Sequence, residues 1–205
     1  MNPSSTLNQG TMVHALVLAA FCTGFGLMLA VTDLVTKEDI SVRAVEDLQS
    51  SLTQVIPADI HDNNLATDTI VVKDDTGRDV KVYRALKAGK LTGVAYEVLG
   101  TGYAGEIRLI LGVDAEGRIL GVRATMYKET PGLGDKIDTK KSDWITRFTG
   151  LSLGSPPKEK WKVKKDGGQF DQFAGATITP RGVVAAIRNG LEFFAAHKTQ
   201  MAEIR

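Results

Sequence analysis

The longest apolar run of the chain lies close to its N-terminus. Residues 13–31 contain no Asp, Glu, Lys or Arg and are rich in Ala, Leu, Val and Phe. A helix needs about 20 such residues to cross a bilayer, so we predict a transmembrane helix at residues 13–32 after an N-terminal tail of residues 1–12. A cleaved signal peptide is disfavoured because no Lys or Arg precedes the run and no clear small-x-small site follows it. A lipid anchor at Cys22 fits poorly, since bulky Phe21 directly precedes it.

A second apolar stripe follows the predicted span and has helical spacing. Its members are Ile40, Val45, Leu48, Leu52 and Val55. Pro57 marks the end of this stripe. We therefore predict a helical stalk at residues 33–57, which holds a folded domain of residues 58–205 away from the bilayer.

Strand signals dominate the first half of that domain. β-Branched and aromatic residues alternate with polar ones between turn residues, and this pattern predicts strands at residues 69–73, 80–85, 93–99, 106–113 and 118–126. Asp74–Gly77 and Asp114–Gly117 are predicted to be hairpin turns. No Rossmann-type glycine fingerprint follows any of these strands, so nicotinamide binding is not indicated.

The C-terminal segment has the pattern of an amphipathic helix. Its apolar positions at helical spacing are Val183, Val184, Ile187, Leu191, Phe194 and Ala195. Pro180 suits the first helical position and Thr179 suits the N-cap. Such a helix would cover one face of an antiparallel sheet, which predicts an α+β fold with packed helices behind the N-terminal transmembrane helix.

Composition narrows the function further. The chain has 205 residues, 43% of them hydrophobic, and a net charge of +1, which is ordinary for a folded protein and gives no argument for nucleic-acid binding. With one cysteine and three scattered histidines, neither a disulfide within the chain nor a metal site is expected. Lys37 and Arg43 follow the span and would place the domain in the cytoplasm by the positive-inside rule. That rule loses force for long translocated domains, so charge leaves the orientation open.

Thr177 is the residue with the most distinctive surroundings. It follows the small pair Gly175-Ala176 and lies just ahead of the predicted helix start, so its hydroxyl is sterically open beside a pocket suited to an anion. Arg181 in the first turn is placed to add a charge-assisted contact. An ordinary loop threonine beside an N-cap is the alternative interpretation.

Two other segments contain residues suited to binding a ligand or a partner. In Glu129–Gly134, glycines flank a leucine after a proline, and such a loop lets the backbone approach a flat ligand closely; the alternative is a simple turn between a strand and a helix. A basic run surrounds Trp161 and consists of Lys158, Lys160, Lys162, Lys164 and Lys165. A solvated loop explains this run, and a docking patch for a membrane or a partner is the alternative.

Several of these segments resemble a known family. Asp171–Thr177 resembles the flavinylation motif of the FMN-binding domain family, in which an Asp is followed by Gly-Ala-Thr or Gly-Ala-Ser. The ordered motifs of the whole chain resemble the G subunit of Rnf ion-translocating electron-transport complexes; they are Gly102–Ile107, Gly112–Asp114, Leu120–Arg123, Glu129–Lys136, Ser142–Trp144 and Phe173–Thr179. Ala174 departs from the family pattern, which often has Ser or Thr there.

The resemblance implies an electron carrier whose FMN is joined covalently to Thr177 by a phosphoester, with a separate flavin transferase as the maturation partner. It implies no catalytic residue and no metal. The expected FMN contacts are Gly175, Ala176, Ile178, Thr179, Glu129, Thr130, Gly132, Leu133 and Gly134. The domain would face the periplasm from the bacterial inner membrane, in a complex whose other subunits couple electron transfer between NADH and ferredoxin to ion transport.

Three alternatives remain open at this point. The paralogous C subunit of sodium-translocating NADH:quinone reductase has a similar domain and flavin link, but that family is usually longer than 205 residues. A membrane-anchored extracytoplasmic binding module without redox activity would explain the span and the hairpins but not the Thr177 motif. A self-sufficient flavoenzyme is weakened by the missing nicotinamide site and by the lack of a nucleophile–base pair.

Overall fold

Two long helices, a five-stranded sheet and five short 3-10 helices make up the regular structure of the described residues, 9–202, in a computed structural model. Helix α1 spans Gln9–Val55 and helix α2 spans Ile178–Ala202. The side chains of residues 9, 38–42, 44 and 45 lie outside the described part, as do residues 1–8 of the predicted tail. Ile40 and Val45 of the predicted stalk stripe belong to this undescribed set.

The chain divides into two compact units, the first ending at Asp47 and the second beginning at Leu48. In the first unit, Gly10–Lys37 is long and apolar enough to cross a membrane, and none of its most apolar window is buried. This stretch contains the span predicted at residues 13–32. The predicted divisions of the chain after residues 12, 32 and 57 stay predictions.

The second unit is built on an antiparallel meander. Its strands are β1 (Thr69–Lys73), β2 (Asp79–Lys87), β3 (Lys90–Thr101), β4 (Glu106–Asp114) and β5 (Ile119–Met126). They lie in the sheet in chain order, each hydrogen-bonded to the next. The five predicted strands and the α+β fold are confirmed, and most strands extend a few residues beyond the predicted limits.

Helix α2 covers one face of this sheet, chiefly over β3 and β4. The buried phenol of Tyr96 on β3 donates a hydrogen bond to the carbonyl of Gly190 on α2 at 2.8 Å. Five of the six predicted apolar positions are buried, but Ala195 is exposed. The prediction for Ala195 is wrong because the buried face is centred on Ile187, Gly190 and Phe194, and one further residue turns the helix by about 100°.

The opposite face of the sheet is covered by the end of α1. Leu52, Val55 and Ile56 are fully buried there; their buried neighbours on that face are Leu65, Tyr83, Ala85, Ala95 and Ile110. Gly112 and Gly121 face each other across β4 and β5, and a Cβ on Gly112 would overlap the carbonyl oxygen of Val55. The last turns of the predicted stalk are therefore part of the folded unit.

Candidate functional site

The site begins where α2 begins. The amide of Arg181 donates to the carbonyl of Thr177 at 3.3 Å, which makes Thr177 the residue that precedes the first helical turn. The predicted N-cap at Thr179 is wrong, because the helix starts at Ile178. Pro180 consequently lies within the first turn, where its missing N–H leaves no helical acceptor unpaired.

A tight turn presents Thr177 at the end of a well-anchored segment. The amide of Ala176 donates to the carbonyl of Phe173 at 3.1 Å, which closes a four-residue β-turn. The third residue of this turn, Gly175, has φ +78°, a backbone conformation that glycine adopts readily in β-turns. The Phe173 ring packs on Trp144 with centroids 5.1 Å apart, and the Trp144 indole donates to the carbonyl of Asp171 at 2.9 Å. Aromatic packing therefore fixes the chain directly before Thr177.

Thr177 opens onto a cavity of about 360 Å³, a volume at the lower end of the range for small-molecule sites. The cavity is lined by Tyr103, Glu129, Thr130, Leu133, Gly134, Gly175, Ala176, Thr177, Ile178 and Thr179. Nine of the ten residues predicted to contact FMN are therefore brought together at one place. The side chain of Thr177 is half-buried and makes no hydrogen bond with the described residues.

Two residues of the cavity region differ from the predicted set. Gly132 does not line the cavity; its φ of +78° instead shapes the turn in which the amides of Leu133 and Gly134 donate to the carbonyl of Thr130. Tyr103 lines the cavity and was not predicted as a contact. It lies in a Gly-Tyr-Ala-Gly segment between two predicted strands, far from Thr177 in sequence, and no local pattern relates the two residues.

Glu129 is the buried charged residue of the cavity wall, with 6% of its surface exposed. Its Oε1 accepts the amide of Ala104 at 3.1 Å, and its Oε2 accepts the amide of Tyr103 at 3.3 Å. The hydroxyl of Thr179 also donates to Oε2. One carboxylate thus joins the β3–β4 turn, the loop after β5 and the first turn of α2.

Two glycines make room for this carboxylate. A Cβ on Gly102 would overlap Oε1 of Glu129. A Cβ on Gly134 would lie 2.7 Å from Oε2 of Glu129 and 2.8 Å from the hydroxyl of Thr179. These distances are shorter than real Cβ contacts, so a side chain at either glycine would displace Glu129 from its position.

The first turn of α2 supplies polar groups for an anion. The leading N–H groups of a helix have no intrahelical acceptor and lie at the positive end of its dipole, and those of Ile178 and Thr179 begin α2 at the cavity. Arg181, predicted to assist there, instead pairs with Asp166 through two hydrogen bonds of 2.6 Å. The hydrogen bond from Arg181 holds the pKa of Asp166 below its usual value.

Apolar side chains surround the cavity mouth. Of the five large apolar side chains exposed among the described residues from Leu48 onward, three line this cavity: Tyr103, Leu133 and Ile178. Their exposed fractions are 72%, 40% and 46%. Apolar groups left exposed together around a polar pocket indicate a binding site.

The basic run includes two short 3-10 turns, Lys158–Lys160 and Lys164–Asp166. Its lysines are exposed, and Trp161 is buried on Phe170 with ring centroids 5.1 Å apart. Lys158 pairs with Glu192 at 3.0 Å, and Lys164 pairs with Asp171 at 2.6 Å. Among the residues that the structure describes, no three His, Cys, Asp or Glu side chains are grouped to hold a metal ion.

The chain is similar to known proteins over nearly all of its length. The FMN-binding domain family matches residues 102–192, which include the entire cavity. The G subunit of the ion-translocating oxidoreductase complex of Cereibacter sphaeroides is 45% identical over 199 residues, 97% of this chain and 91% of that protein. The Vibrio vulnificus protein of the same name is 45% identical over 92% of this chain and 91% of its own length.

A solved structure shares the fold at lower similarity. The crystal structure of the C subunit of the Na⁺-translocating NADH-quinone reductase from Parabacteroides distasonis matches with a TM-score of 0.52. It is 18% identical and covers 78% of this chain and 94% of that chain. This likeness shows a common fold, and the much higher identity to the G-subunit proteins favours their family over the paralogous one.

Proposed function

The chain belongs to the G-subunit family of ion-translocating oxidoreductase complexes, and we propose that it carries electrons there through FMN attached to Thr177. The observation that carries this proposal is the half-buried Thr177 hydroxyl, unpaired among the described residues, at the mouth of an apolar-rimmed cavity. FMN supplies one- and two-electron redox chemistry when bound. The protein supplies attachment, orientation and the surrounding dielectric.

The residues present fit the two chemically different ends of FMN. The leading N–H groups of Ile178 and Thr179 suit a phosphate that is esterified to Thr177. Leu133 and Ile178 offer apolar contacts, and Tyr103 offers an aromatic ring, to a flat heterocycle. The turn at Gly132, with its positive φ, places Leu133 and Gly134 at the same cavity.

Attachment is a phosphoryl transfer from FAD, catalysed by a separate flavin transferase that uses a divalent metal. The Thr177 Oγ1 attacks the phosphorus of the FMN half of FAD. An O–P bond forms, the P–O–P anhydride bond breaks, AMP leaves, and the hydroxyl proton passes to solvent. Thr179 is a poor acceptor because it is 1% exposed and its hydroxyl is donated to Glu129.

A covalent link suits a carrier whose cofactor lies at an exposed cavity. A non-covalent flavin would be lost whenever it dissociated into the surrounding volume, whereas a tethered one rebinds within the same molecule at high effective concentration. Thr177 thus serves as a tether, and the cavity wall orients what it holds. No residue of the chain is required to act as a nucleophile during electron transfer itself.

The chain would be anchored in the bacterial inner membrane by the Gly10–Lys37 stretch, with its folded unit in the periplasm. The apolar length of that stretch supports anchoring, and membership of a multisubunit complex supports other subunits as partners. Within such a complex, electrons pass between NADH and ferredoxin and drive ion translocation. This chain would relay electrons and would turn over no substrate alone.

The test is in-gel flavin fluorescence of denatured protein co-expressed with a flavin transferase. We expect wild-type chain and Thr177→Ser to retain fluorescence, because both keep an acceptor hydroxyl, and Thr177→Ala to lose it completely. Peptide mass spectrometry should place the FMN phosphoryl group on Thr177. A non-fluorescent wild-type band, with a transferase proven active on another substrate, would refute the electron-carrier function.

A further inference from the structure

The Glu129 carboxylate and the acceptor threonine line the same cavity, and no hydrogen bond joins them. The carboxylate accepts hydrogen bonds from the amides of Tyr103 and Ala104 and from the hydroxyl of Thr179. Thr179 lies two residues after Thr177, in the first turn of the helix that Thr177 caps. Glu129 therefore connects the acceptor's own helix to the other two segments of the cavity wall.

From this arrangement we infer that Glu129 is the positioning residue that presents Thr177 for flavin attachment. It fixes the start of α2 against the β3–β4 turn and thereby fixes where the Thr177 hydroxyl points. By accepting the Thr179 hydroxyl, it also leaves Thr177 as the one threonine of this turn with a free acceptor oxygen. The inference rests on the proposed function of Thr177 and concerns how that threonine is selected and oriented.

A general-base role for Glu129 fits the geometry less well. Both of its oxygens already accept protein donors, and Oε2 accepts two of them. Turning the carboxylate towards Thr177 would break these hydrogen bonds from Tyr103, Ala104 and Thr179. Glu129 therefore acts through Thr179 and through the wall segments that it joins.

The first experiment measures flavin transfer to full-length apo-protein in detergent, with purified transferase and FAD. We expect Glu129→Ala to lower the kcat of transfer by about tenfold or more, because misplacing a reacting group by about 1 Å can cost about 100-fold. Glu129→Gln should be intermediate, since an amide keeps one acceptor oxygen and the same shape. Glu129→Asp should resemble Ala, because its shorter side chain does not reach all three donors.

A double-mutant cycle isolates the contact between Glu129 and Thr179. Thr179→Val keeps the shape of residue 179 but removes the hydroxyl that Glu129 accepts. If Glu129 acts through this contact, Thr179→Val should also slow transfer, and the double variant should be no slower than Glu129→Ala alone. Fully additive effects would overturn this mechanism.

A matched control separates positioning from general loss of stability. Tyr96→Phe removes a buried hydrogen bond to the same helix, but at Gly190, far from its first turn. It should lower the unfolding temperature while leaving the transfer rate at the wild-type value. If Tyr96→Phe and Glu129→Ala each slow transfer in proportion to the decrease in unfolding temperature that they cause, Glu129 is merely structural and the inference fails.

A spectroscopic readout on loaded protein adds an independent criterion. After prolonged transfer, the visible circular dichroism of the tethered flavin should weaken in Glu129→Ala, because the three wall segments are no longer joined, and should recover in part in Glu129→Gln. The outcomes also separate the two proposals. If Thr177→Ala loses flavin but Glu129→Ala and Thr179→Val load at the wild-type rate, only the role of Glu129 is wrong; if Thr177→Ala still carries flavin, the attachment site itself is wrong.

Discussion

At the scale of single residues, the cavity wall depends on two glycines, whose lack of a side chain leaves room for Glu129. Gly102 and Gly134 lie where any side chain would meet Glu129. The buried carboxylate has its hydrogen bonds satisfied, as a buried charge must. The glycines of these motifs are consequently explained by close approach, in addition to any contact with a ligand.

We predict that Gly102→Ala destabilises the protein, because its Cβ would overlap Oε1 of Glu129. Overpacking of this kind typically lowers the free energy of unfolding by about 1–3 kcal/mol. Gly154→Ala is the matched control, since nothing lies within 4 Å of a Cβ there. Thermal unfolding followed by circular dichroism measures both variants, and equal stabilities would contradict the steric explanation.

At the scale of elements, the start of α2 is set by its packing on β3. A Cβ on Gly182 would overlap the carbonyl oxygen of Thr101, and a Cβ on Gly100 would lie 2.9 Å from the carbonyl oxygen of Gly182. The helix therefore lies against the strand at glycines on both sides. This close approach brings the Thr177 turn next to the β3–β4 turn that carries Tyr103.

We predict that Gly182→Ala lowers the free energy of unfolding, although helix propensity alone favours alanine by about 1 kcal/mol. The overlap with the Thr101 carbonyl opposes this gain by about 1–3 kcal/mol, so the net change is a loss of up to about 2 kcal/mol. Chemical denaturation with urea measures it. A stabilised variant would show that α2 can move away from β3 at little cost.

The turn between β1 and β2 contains Asp74, whose carboxyl group has a lowered pKa. The Thr76 hydroxyl hydrogen bond, assisted by the amides of Thr76 and Arg78, lowers the pKa of Asp74 from 3.8 to about 2. Because the folded pKa lies below the unfolded one, this carboxylate stabilises the fold fully above pH 3.8 and loses its contribution as the pH falls to about 2.

We predict that Thr76→Val raises the pKa of Asp74 back towards 3.8, since it removes the hydroxyl that contributes most to the shift. Carboxyl ¹³C chemical shifts followed across the acid range measure the midpoint, and Asp74→Asn assigns the signal. An unchanged midpoint in Thr76→Val would show that the backbone amides alone hold the carboxylate.

At the scale of the whole molecule, α1 belongs to both compact units. Its apolar N-terminal stretch lies in the first unit, and its last turns bury Leu52 and Val55 against the sheet in the second. The predicted domain boundary after residue 57 leaves these side chains outside the domain. The boundary of the folded unit at Leu48 includes them.

We predict that a chain of residues 48–205 unfolds cooperatively, whereas a chain of residues 58–205 is severely destabilised. Leu52, Val55 and Ile56 are fully buried, and losing about 1.5–3 kcal/mol for each removes a large share of a typical total of about 5–15 kcal/mol. Thermal unfolding compares the two chains. Equal unfolding temperatures would support the boundary after residue 57 instead.

Local patterns along the chain predict the strands, the two long helical segments and the α+β fold, because alternation and helical spacing are read from neighbouring residues and packing preserves them. The sequence also singled out Thr177, since a small flexible pair before a helix start is readable from neighbouring residues. Two local predictions failed where packing decided the outcome: α2 begins at Ile178 rather than Pro180, and Ala195 is exposed.

Which distant residues meet at the cavity depends on the three-dimensional packing of the chain. Tyr103 and Thr179 lie 26 and 50 positions in sequence from Glu129, and no local pattern relates them. Likewise, Gly112 and Gly121 have the pattern of ordinary strand glycines, and only the fold places Val55 against them. Such contacts depend on how sheet and helices pack, and packing is set by shape over the whole fold rather than by periodicity along the chain.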